Sequence, residues 1–308
     1  MIPSWFPAKD IPDLQVYTDF EKISEGGFGE VYLLHMATEP PRRVVLKRLR
    51  PLFVNVPSTR HLFEREARIL KKLNFPLIPR FVDGYLSDEE CFFIMEYVEG
   101  KSSWHLIRNA KASGKTIPTN LALKIVRGVC PSLQYLHSIL DENGKPDPMA
   151  HGDLKPRNIL VSEDARSHLI DFSLASQASN PLPENPGTAT YMAPERYAGE
   201  KPLPSSDIFS LGLTFFELLT LRPLLGEKTH FGNFQKMLSK KHLEEISSCR
   251  FPAAIEDFLR QALAYDAKDR IHSAAEMEKQ FDAVAQHLSL DMDAKQMSRL
   301  LREHLLLT

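Results

Sequence analysis

The chain contains little cysteine and almost no excess charge of either sign. Only 3 of its 308 residues are cysteine, and Cys91, Cys130 and Cys249 lie far apart without a Cys-x-x-Cys spacing. This usage indicates reduced thiols rather than a disulfide framework or a zinc site. The formal net charge of −2 at pH 7 argues against nonspecific binding to nucleic acid or to an anionic membrane surface. We therefore expect no nucleic acid and no membrane among the partners.

Long hydrophobic runs are also missing. The most apolar stretch, residues 208–221, is interrupted by polar residues such as Ser210, Thr214 and Glu217, and it is too short to cross a bilayer. The stretch is therefore predicted to be a buried core helix. The first residues show no basic segment followed by an apolar run, so they do not resemble a secretory signal. These absences together predict a cytoplasmic protein.

The character of the sequence changes after about one hundred residues. The first part contains strand-like segments around a glycine-rich turn, and residues 59–73 carry apolar side chains at helical spacing. From about Ser103 onward the periodicity is helical, notably over residues 121–137 and 255–264. The sequence thus predicts an α+β chain, with a small β-rich lobe containing one main helix followed by a larger helical lobe.

One segment, His151–Leu160, combines residue types that suit a single chemistry. Asp153 can accept a hydroxyl proton, Lys155 can hold a negative phosphate, and Asn158 can coordinate a metal ion. Apolar residues follow directly and would anchor this polar loop on a short buried strand. The segment therefore indicates phosphoryl transfer.

Seven segments occur in the order found in eukaryotic-type protein kinases, which the chain resembles over residues 17–286. The resemblance implies a two-lobed protein kinase fold, with an N-lobe at 1–96, a C-lobe at 97–286 and a C-terminal helical extension at 287–308. The loop around residues 141–148 and the charged tail resemble those of bacterial Ser/Thr kinases. The segments are Ser24–Val31, Val44–Lys47, Phe63–Leu70, Met95–Gly100, His151–Leu160, His168–Ser173 and Gly187–Glu195.

The resemblance implies a catalytic role for four charged side chains. Lys47 would hold the α- and β-phosphates of ATP, and Glu66 rather than Glu64 would form its ion pair. Asp153 would orient the acceptor hydroxyl and take its proton, while Lys155 would stabilise the charge that develops on the γ-phosphate.

The resemblance also implies ATP and Mg²⁺ as cofactors, with Mn²⁺ as an alternative metal. Asn158 and Asp171 would be the metal ligands. ATP would lie between the lobes under the glycine-rich turn, with Met95 beside the adenine and backbone groups of the following residues bonded to it. The expected nucleotide-binding residues are Ile23, Gly26, Gly27, Gly29, Val31, Val45, Lys47, Met95, Glu96, Val98 and Leu160.

The expected partner is a protein substrate with a Ser or Thr acceptor. The Asp-x-Lys-Pro form at Asp153 resembles Ser/Thr rather than Tyr kinases, and Thr188 would bond the catalytic loop. Glu195 would pair with Arg270, and Asp207 would brace the catalytic-loop backbone.

Three departures from the family pattern keep other functions open. Ser24 and Ser173 stand where the family has Gly, and Gly152 stands where it has Arg, which gives weight to a pseudokinase scaffold. His151–Asp153 reads His-Gly-Asp, as in small-molecule kinases of the aminoglycoside or choline type. Those families lack the Gly187–Glu195 segment, so a protein kinase is the preferred interpretation.

Regulation is expected to differ from that of kinases switched on by loop phosphorylation. Residues 171–195 contain no Lys or Arg, so a phosphate on Ser176 or Ser179 would have no local basic partner. Gly152 removes the usual distant one. We therefore expect activity without phosphorylation of this segment.

The last segment, residues 291–307, lies outside the resemblance. Its apolar residues recur at helical spacing and predict a short helix that packs on the large lobe. A regulatory partner or an autoinhibitory contact is the alternative. The apolar face would comprise Met297, Leu300, Leu301, His304 and Leu305.

Overall fold

The computed structural model describes residues 3–7, 12–177, 189–226 and 230–305. The chain divides into two compact units, Met1–Val98 and Glu99–Thr308. The first is rich in strands and the second is largely helical, which confirms the predicted α+β character. Within the described ranges, no helix combines the length and apolarity needed to span a bilayer.

The first unit is built on one antiparallel sheet with two helices. The order of the strands in the sheet is β1-β2-β3-β5-β4. The two helices, α1 (Pro51–Val54) and α2 (Pro57–Lys72), both begin with proline at the first helical position, where its missing N–H leaves no bond unmade. The strands are β1 (Tyr17–Glu25), β2 (Gly29–Met36), β3 (Arg42–Leu49), β4 (Phe81–Leu86) and β5 (Cys91–Glu96).

The register of the sheet sorts its side chains onto two faces. Val31 lies opposite Lys47, and Val45 lies opposite Met95. Directly opposed residues of antiparallel strands, and residues two apart along a strand, share a face. These four positions therefore lie on one face. The other face carries a buried apolar cluster that includes Leu34, Val44, Leu46, Phe92 and Ile94.

An aromatic segment that precedes the sheet covers this second face. The Trp5 ring lies 5.4 Å from the Tyr32 ring and 6.3 Å from the Phe92 ring, and Phe6 is buried in the cluster. The Arg48 guanidinium stacks over the Trp5 ring at 4.0 Å, a cation–π arrangement. Trp5 and Phe6 thus belong to the core of the first unit, which their sequence did not predict.

The described part of the second unit combines helices with five short strands in two small sheets. Strands β6, β8 and β9 form one small sheet, and β7 pairs with β10. The strands are β6 (Lys101–Ser102), β7 (Met149–Ala150), β8 (Ile159–Val161), β9 (Ser167–Leu169) and β10 (Ser176–Gln177). The helices are α3 (Ser103–Ala112), α4 (Thr119–His137), α5 (Pro194–Tyr197), α6 (Pro204–Thr220), α7 (His230–Leu238), α8 (Lys241–Ser248), α9 (Ala253–Ala262), α10 (Ala274–His287) and α11 (Ala294–Leu305).

Helix α6 is the predicted core helix, and its side chains are buried from Ser206 to Leu218. The helix ends at Leu221, which has a left-handed backbone conformation and donates its N–H to Glu217 O at 2.7 Å. Such a residue closes the last helical turn. The core position of α6 matters for the site because its first turn supplies Asp207.

The predicted C-terminal helix is present as α11. Met297 and Leu301 are fully buried where α11 contacts α3 and α4. Asn120 donates to Asp291 O at 3.0 Å and fixes the connection that leads into α11. The side chains of His304 and Leu305 lie outside the described residues. The described part of the face packs on the second unit, as the periodicity predicted.

Candidate active site

The predicted Lys47–Glu66 ion pair forms within the first unit. Lys47 Nζ, on β3, lies 2.7 Å from each carboxylate oxygen of Glu66, on α2. Glu66 is buried, and the pair holds the ammonium against the sheet face that also carries Val31. Glu64 instead accepts a bond from Arg60 at 2.8 Å. The choice of Glu66 over Glu64 is confirmed.

The glycine-rich turn joins β1 to β2. Gly26 N donates to Gly29 O at 2.8 Å and closes the turn. A Cβ on Gly29 would lie 3.2 Å from Arg48 O, whereas a Cβ on Gly27 would meet no atom within 4 Å. Packing within the protein thus favours glycine at 29 but not at 27. Glycine at 27 suits a ligand that approaches the backbone closely, such as a phosphate. Ser24 pairs with Val31 in the ladder and needs no glycine.

The remaining nucleotide-binding candidates fall in both units. Val31, Val45 and Met95 share the sheet face of Lys47, and Ile23 lies exposed at a register shift in β1. The following candidates, Glu96 and Val98, end the first unit, whereas Leu160 belongs to β8 in the second. Their shared role in binding a base remains a prediction.

The N–H of Glu96 already has a partner in the first unit. It donates to Arg80 O at 2.9 Å, and the Glu96 carboxylate accepts from Arg80 N at 3.2 Å. A bond from Glu96 to a purine would therefore use its carbonyl rather than its N–H.

The catalytic-loop candidates converge on the carboxylate of Asp153. Lys155 Nζ lies 2.5 Å from Asp153 Oδ2. Asn158 Nδ2 donates to Asp153 O at 2.8 Å and to Oδ2 at 3.3 Å. A turn at Pro156–Asn158 folds the loop back, and β8 then anchors it in the small sheet. The Asp153 side chain is only 7 % exposed, so its orientation is fixed by these contacts.

Asp207 holds the backbone that leads into this loop. Its carboxylate accepts from His151 N at 2.8 Å and from Gly152 N at 3.0 Å, and it contacts His137 Nε2 at 2.9 Å. The residue lies in the first turn of α6, where a helix favours negative charge. The predicted brace is confirmed.

The structure explains why residue 152 is glycine, which the sequence alone did not reveal. Its φ is +78°, and a Cβ on it would lie 2.5 Å from Leu174 O. Only glycine fits this close approach without moving the main chain. This family normally has Arg at this position. Here the main chain at Gly152 instead lies against the main chain of the segment after Asp171.

Asp171 also has an unusual backbone conformation, with φ at +67°. Non-glycine residues with this conformation concentrate at functional sites. Asp171 Oδ1 accepts from Ser173 N at 3.4 Å, and the buried Phe172 ring packs 5.1 Å from the His151 ring. Ser173 itself does not have a left-handed conformation, so the family glycine is not required there.

The donor set fits a magnesium ion that is shared with phosphate oxygens. In residues 3–7, 12–177, 189–226 and 230–305, no group of three or more His, Cys, Asp or Glu side chains could hold a metal alone. Because the NH₂ group of Asn158 is bound to Asp153, its carbonyl oxygen is the atom left for a metal. Together with the Asp171 carboxylate, this suits Mg²⁺, which proteins bind through one or two side chains plus substrate phosphates.

The start of the segment after Asp171 is docked on the second unit. Ser176 is 2 % exposed and lies opposite Ala150 in the β7–β10 pair. Gln177 Nε2 donates to the carbonyl and the carboxylate of Asp147 at 3.1 Å. A phosphate could reach Ser176 only if this strand pair opened. Ser179, Gly187 and Thr188 lie outside the described residues.

The predicted Glu195–Arg270 pair is buried in the second unit. Arg270 Nη1 and Nη2 donate to the two Glu195 oxygens at 2.8 and 2.7 Å. Burial alone would raise the pKa of Glu195, but the hydrogen bonds and charge of Arg270 outweigh it and lower the pKa. The pair fixes the segment that begins α5 to the loop that precedes α10.

These features define a class of phosphotransferase. One unit holds a lysine against a glutamate beside a glycine-rich turn, and the other presents an Asp–Lys–Asn loop. The family described as "Protein kinase domain" matches residues 17–281. The chain belongs to the protein kinase family.

Curated relatives carry kinase names. The chain is 29% identical over 297 residues to "Tyrosine-protein kinase MasK" of Myxococcus xanthus, covering 91% of this chain and 45% of that protein. It is 30% identical to "Serine/threonine-protein kinase C" of Synechocystis sp., and the match covers 85% of this chain and 48% of that protein. It is 31% identical to "Serine/threonine-protein kinase PknD" of Chlamydia felis, with 89% and 31% covered. The chain thus spans less than half the length of each of these relatives.

Proposed function

We propose that the chain is an active protein kinase that transfers the γ-phosphate of ATP to Ser or Thr hydroxyls of proteins. The observation that carries this proposal is the buried Asp153 carboxylate, held by Lys155 and Asn158. A general base and a cation at this spacing suit transfer to a hydroxyl.

Asp153 would orient the acceptor hydroxyl and take its proton as the new oxygen–phosphorus bond forms, while the bond from the γ-phosphorus to the β,γ-bridging oxygen breaks and ADP leaves. The neighbouring Lys155 ammonium lies where it offsets negative charge that develops on the transferred phosphoryl group. Both groups are fixed before substrate arrives, because Asp207 and Asn158 hold the loop backbone and the carboxylate. Such preorganisation is the main source of rate in phosphoryl transfer.

The first unit would supply groups that bind the phosphates of ATP. Lys47, fixed by Glu66, would bind the α- and β-phosphates, and the backbone at Gly26 and Gly27 would approach them. Mg²⁺, held by Asn158 and Asp171 together with phosphate oxygens, would neutralise charge on the phosphates. Mn²⁺ has the same oxygen preference and would serve as an alternative.

A protein rather than a small molecule is the proposed acceptor. The Glu195–Arg270 pair and the Asp207 brace are both formed, and in this family such contacts support a surface for a polypeptide. Ser or Thr is favoured by the Asp-x-Lys-Pro order at Asp153, and two of the three relatives above are named serine/threonine kinases. The relative named as a tyrosine kinase makes the identity of the acceptor residue worth measuring.

The departures from the family pattern support activity rather than a pseudokinase. Ser24 pairs with Val31 in the β1–β2 ladder, Ser173 has no left-handed conformation, and Gly152 is required by a close backbone contact. We also propose that the kinase is active without phosphorylation of Ser176 and Ser179. The β7–β10 strand pair at Ser176 would then order the segment after Asp171, as a bound phosphate does in kinases that are activated by phosphorylation of this segment.

The cellular setting follows the same proposal. We propose a cytoplasmic location, because the kinase would need ATP and Mg²⁺ and its three cysteines are free thiols. We propose the extension at 287–308 as the place for a regulatory partner. Because Met297 and Leu301 are already buried, such a partner would contact the outer side of α11.

Transfer of label from γ-labelled ATP to a generic protein tests the proposal. The wild-type chain is compared with Asp153→Asn and with Asp257→Asn, an exposed Asp on α9. Loss of the base should lower transfer at least about 100-fold, while ATP with Mg²⁺ still raises the melting temperature. The Asp257→Asn variant should transfer like wild type. Retained transfer in folded Asp153→Asn would refute the assigned role.

A further inference from the structure

A tryptophan lies beside the catalytic loop on the first turn of α3. Ser103 Oγ donates to Pro156 O at 2.9 Å, and this buried bond ties the start of α3 to the turn that contains Arg157. The pairing of Ser102 with Leu160 in the β6–β8 ladder fixes the same junction. Trp104 is therefore held next to the loop by main-chain and buried side-chain contacts.

Two arginines stack on this tryptophan. The Arg157 guanidinium lies 3.6 Å from the centre of the Trp104 ring, and the Arg108 guanidinium lies 5.5 Å from it. Lys101 lies on β6, just before the same helix. Both arginines and Lys101 are exposed. The stacking limits how far the guanidinium groups can move while leaving their N–H groups toward water.

The three cations form no ion pair with any residue in the part of the chain that the structure describes. Their combined field acts on His105. The pKa of His105 is lowered, first because its ring is partly removed from water and then because Lys101, Arg108 and Arg157 surround it with positive charge. The surface formed by these three residues is named here the α3 cationic surface, and none of the three is neutralised by an ion pair with a described residue.

The α3 cationic surface borders the place where a hydroxyl would react. Arg157 directly precedes Asn158, and the charges of both Arg157 and Asp153 act on the hydroxyl of Tyr191. Glu217, a carboxylate that contacts Tyr191, is 6 % exposed and accepts a bond from the Tyr191 hydroxyl at 2.5 Å. It therefore does not present negative charge to a bound chain.

We infer that the α3 cationic surface selects polypeptide substrates that carry Asp or Glu close to the acceptor Ser or Thr. This inference rests on the proposed kinase function and names its substrate class. Exposed guanidinium groups recognise carboxylates in two-point geometry, and unneutralised charge beside a site attracts the opposite charge. Arg157, nearest to the reacting residues, is the main specificity determinant.

Three matched peptides test the inference, each with one Ser flanked on both sides by Glu, by Ala or by Lys. We expect kcat/KM to fall from the Glu peptide to the Ala peptide to the Lys peptide, by about fivefold per exposed charge contact. The Arg157→Gln variant should lose most of the preference through KM for peptide, and Arg157→Glu should favour the Lys peptide. KM for ATP should be unchanged in both.

The control is Lys111→Gln, which removes an exposed charge from the last turn of the same helix and should keep the wild-type preference. Arg108→Gln is the second variant and should weaken the preference less than Arg157→Gln. Thermal unfolding shows whether each variant is folded.

Two outcomes would overturn the inference in different ways. Equal kcat/KM for the three peptides, or an Arg157→Gln effect on KM for ATP alone, would show that the surface does not read substrate charge while the kinase function stands. Failure of the wild-type chain to label any peptide or protein would remove the proposed function, and the inference with it.

Discussion

Each unit contains an ion pair between a glutamate and a basic residue. The two pairs have similar distances but differ in the exposure of the basic side chain. Lys47 Nζ contacts both oxygens of Glu66 at 2.7 Å, and Arg270 contacts both oxygens of Glu195 at 2.7 and 2.8 Å. The Lys47 side chain remains 20 % exposed, whereas that of Arg270 is 0 % exposed. The first cation can therefore still reach a ligand, and the second cannot.

Arg270 also has partners on the main chain. Arg270 also donates to Ala264 O and Tyr265 O at 2.8 Å and to Ser205 O at 3.0 Å. A guanidinium has five N–H donors, and these bonds with Glu195 use them. Lysine offers three donors on a flexible stem. The same charge pairing thus serves to join chain segments in one unit and to position a reactive cation in the other.

The largest effect is expected from Arg270→Met. The change leaves a buried carboxylate at Glu195 and three carbonyls without their donor, and loss of one partner of a buried pair costs about 3–5 kcal/mol. That is a large part of a typical stability of about 5–15 kcal/mol. We expect unfolding near physiological temperature and loss of all activity, measured by circular dichroism and label transfer. A folded, fully active variant would remove the contrast between the two pairs.

Lys47→Met should separate activity from folding. Phosphoryl transfer should fall at least about 100-fold, because a preorganised cation for the phosphates is lost. The melting temperature should fall by only a few degrees, because the Lys47 side chain is partly exposed whereas that of Arg270 is fully buried. Glu66→Gln should also impair transfer, whereas Glu64→Gln, which disturbs a pair with Arg60, should not. Equal effects of the two Glu variants would contradict the assignment.

Double variants compare how much each ion pair contributes to the free energy of unfolding. In Lys47→Met with Glu66→Leu no buried charge is left unpaired, so stability should return close to wild type while activity stays absent. In Arg270→Met with Glu195→Leu the three carbonyls still lack a donor, so stability should recover only in part. Chemical denaturation of both cycles measures this. Full recovery in the second cycle would show that the main-chain bonds of Arg270 contribute little.

A smaller effect is expected from pH. Glu195 has a lowered pKa in the folded chain, so it binds protons less readily there than in the unfolded chain. Its contribution to stability is complete above the unfolded pKa and is lost as pH falls through the folded pKa. The melting temperature should therefore fall as the solution is acidified below about pH 5. Glu195→Gln, starting from a lower value, should show a shallower fall; an identical slope would contradict this.

The smallest effect is expected from the segment after Asp171. Ser176→Ala with Ser179→Ala should leave label transfer within about twofold of wild type, because substitution of hydroxyls outside a reacting centre removes no transition-state contact. Mass spectrometry of the starting protein controls for existing phosphate. Loss of activity in the folded double variant would show that the segment needs phosphorylation.

Much of both ion pairs could be predicted because motif order places their residues. The resemblance to the family places Lys47 in the third-strand motif, and the family pattern favours Glu66, four residues before Leu70, over Glu64. The structure forms the Lys47–Glu66 pair. The core helix α6 could also be predicted, because an apolar run of its length with few charges fits only a buried position in such a chain.

Other features depend on contacts between distant segments that no local pattern reveals. Trp5 and Phe6 lie in a short proline-flanked stretch without periodicity, yet they cover a sheet face. The need for glycine at Gly152 arises from Leu174 O, which lies 22 positions later. The stacking of Arg157 on Trp104 was likewise missed, although the spacing of Trp104 and Arg108 on a helix was a usable signal.

Phosphoamino acid analysis of a labelled protein substrate tests the central claim most directly. After incubation with γ-labelled ATP and Mg²⁺, the account predicts phosphoserine or phosphothreonine with the wild-type chain and none with Asp153→Asn. Label found on tyrosine alone, or label that persists in the folded Asp153→Asn variant, would contradict it.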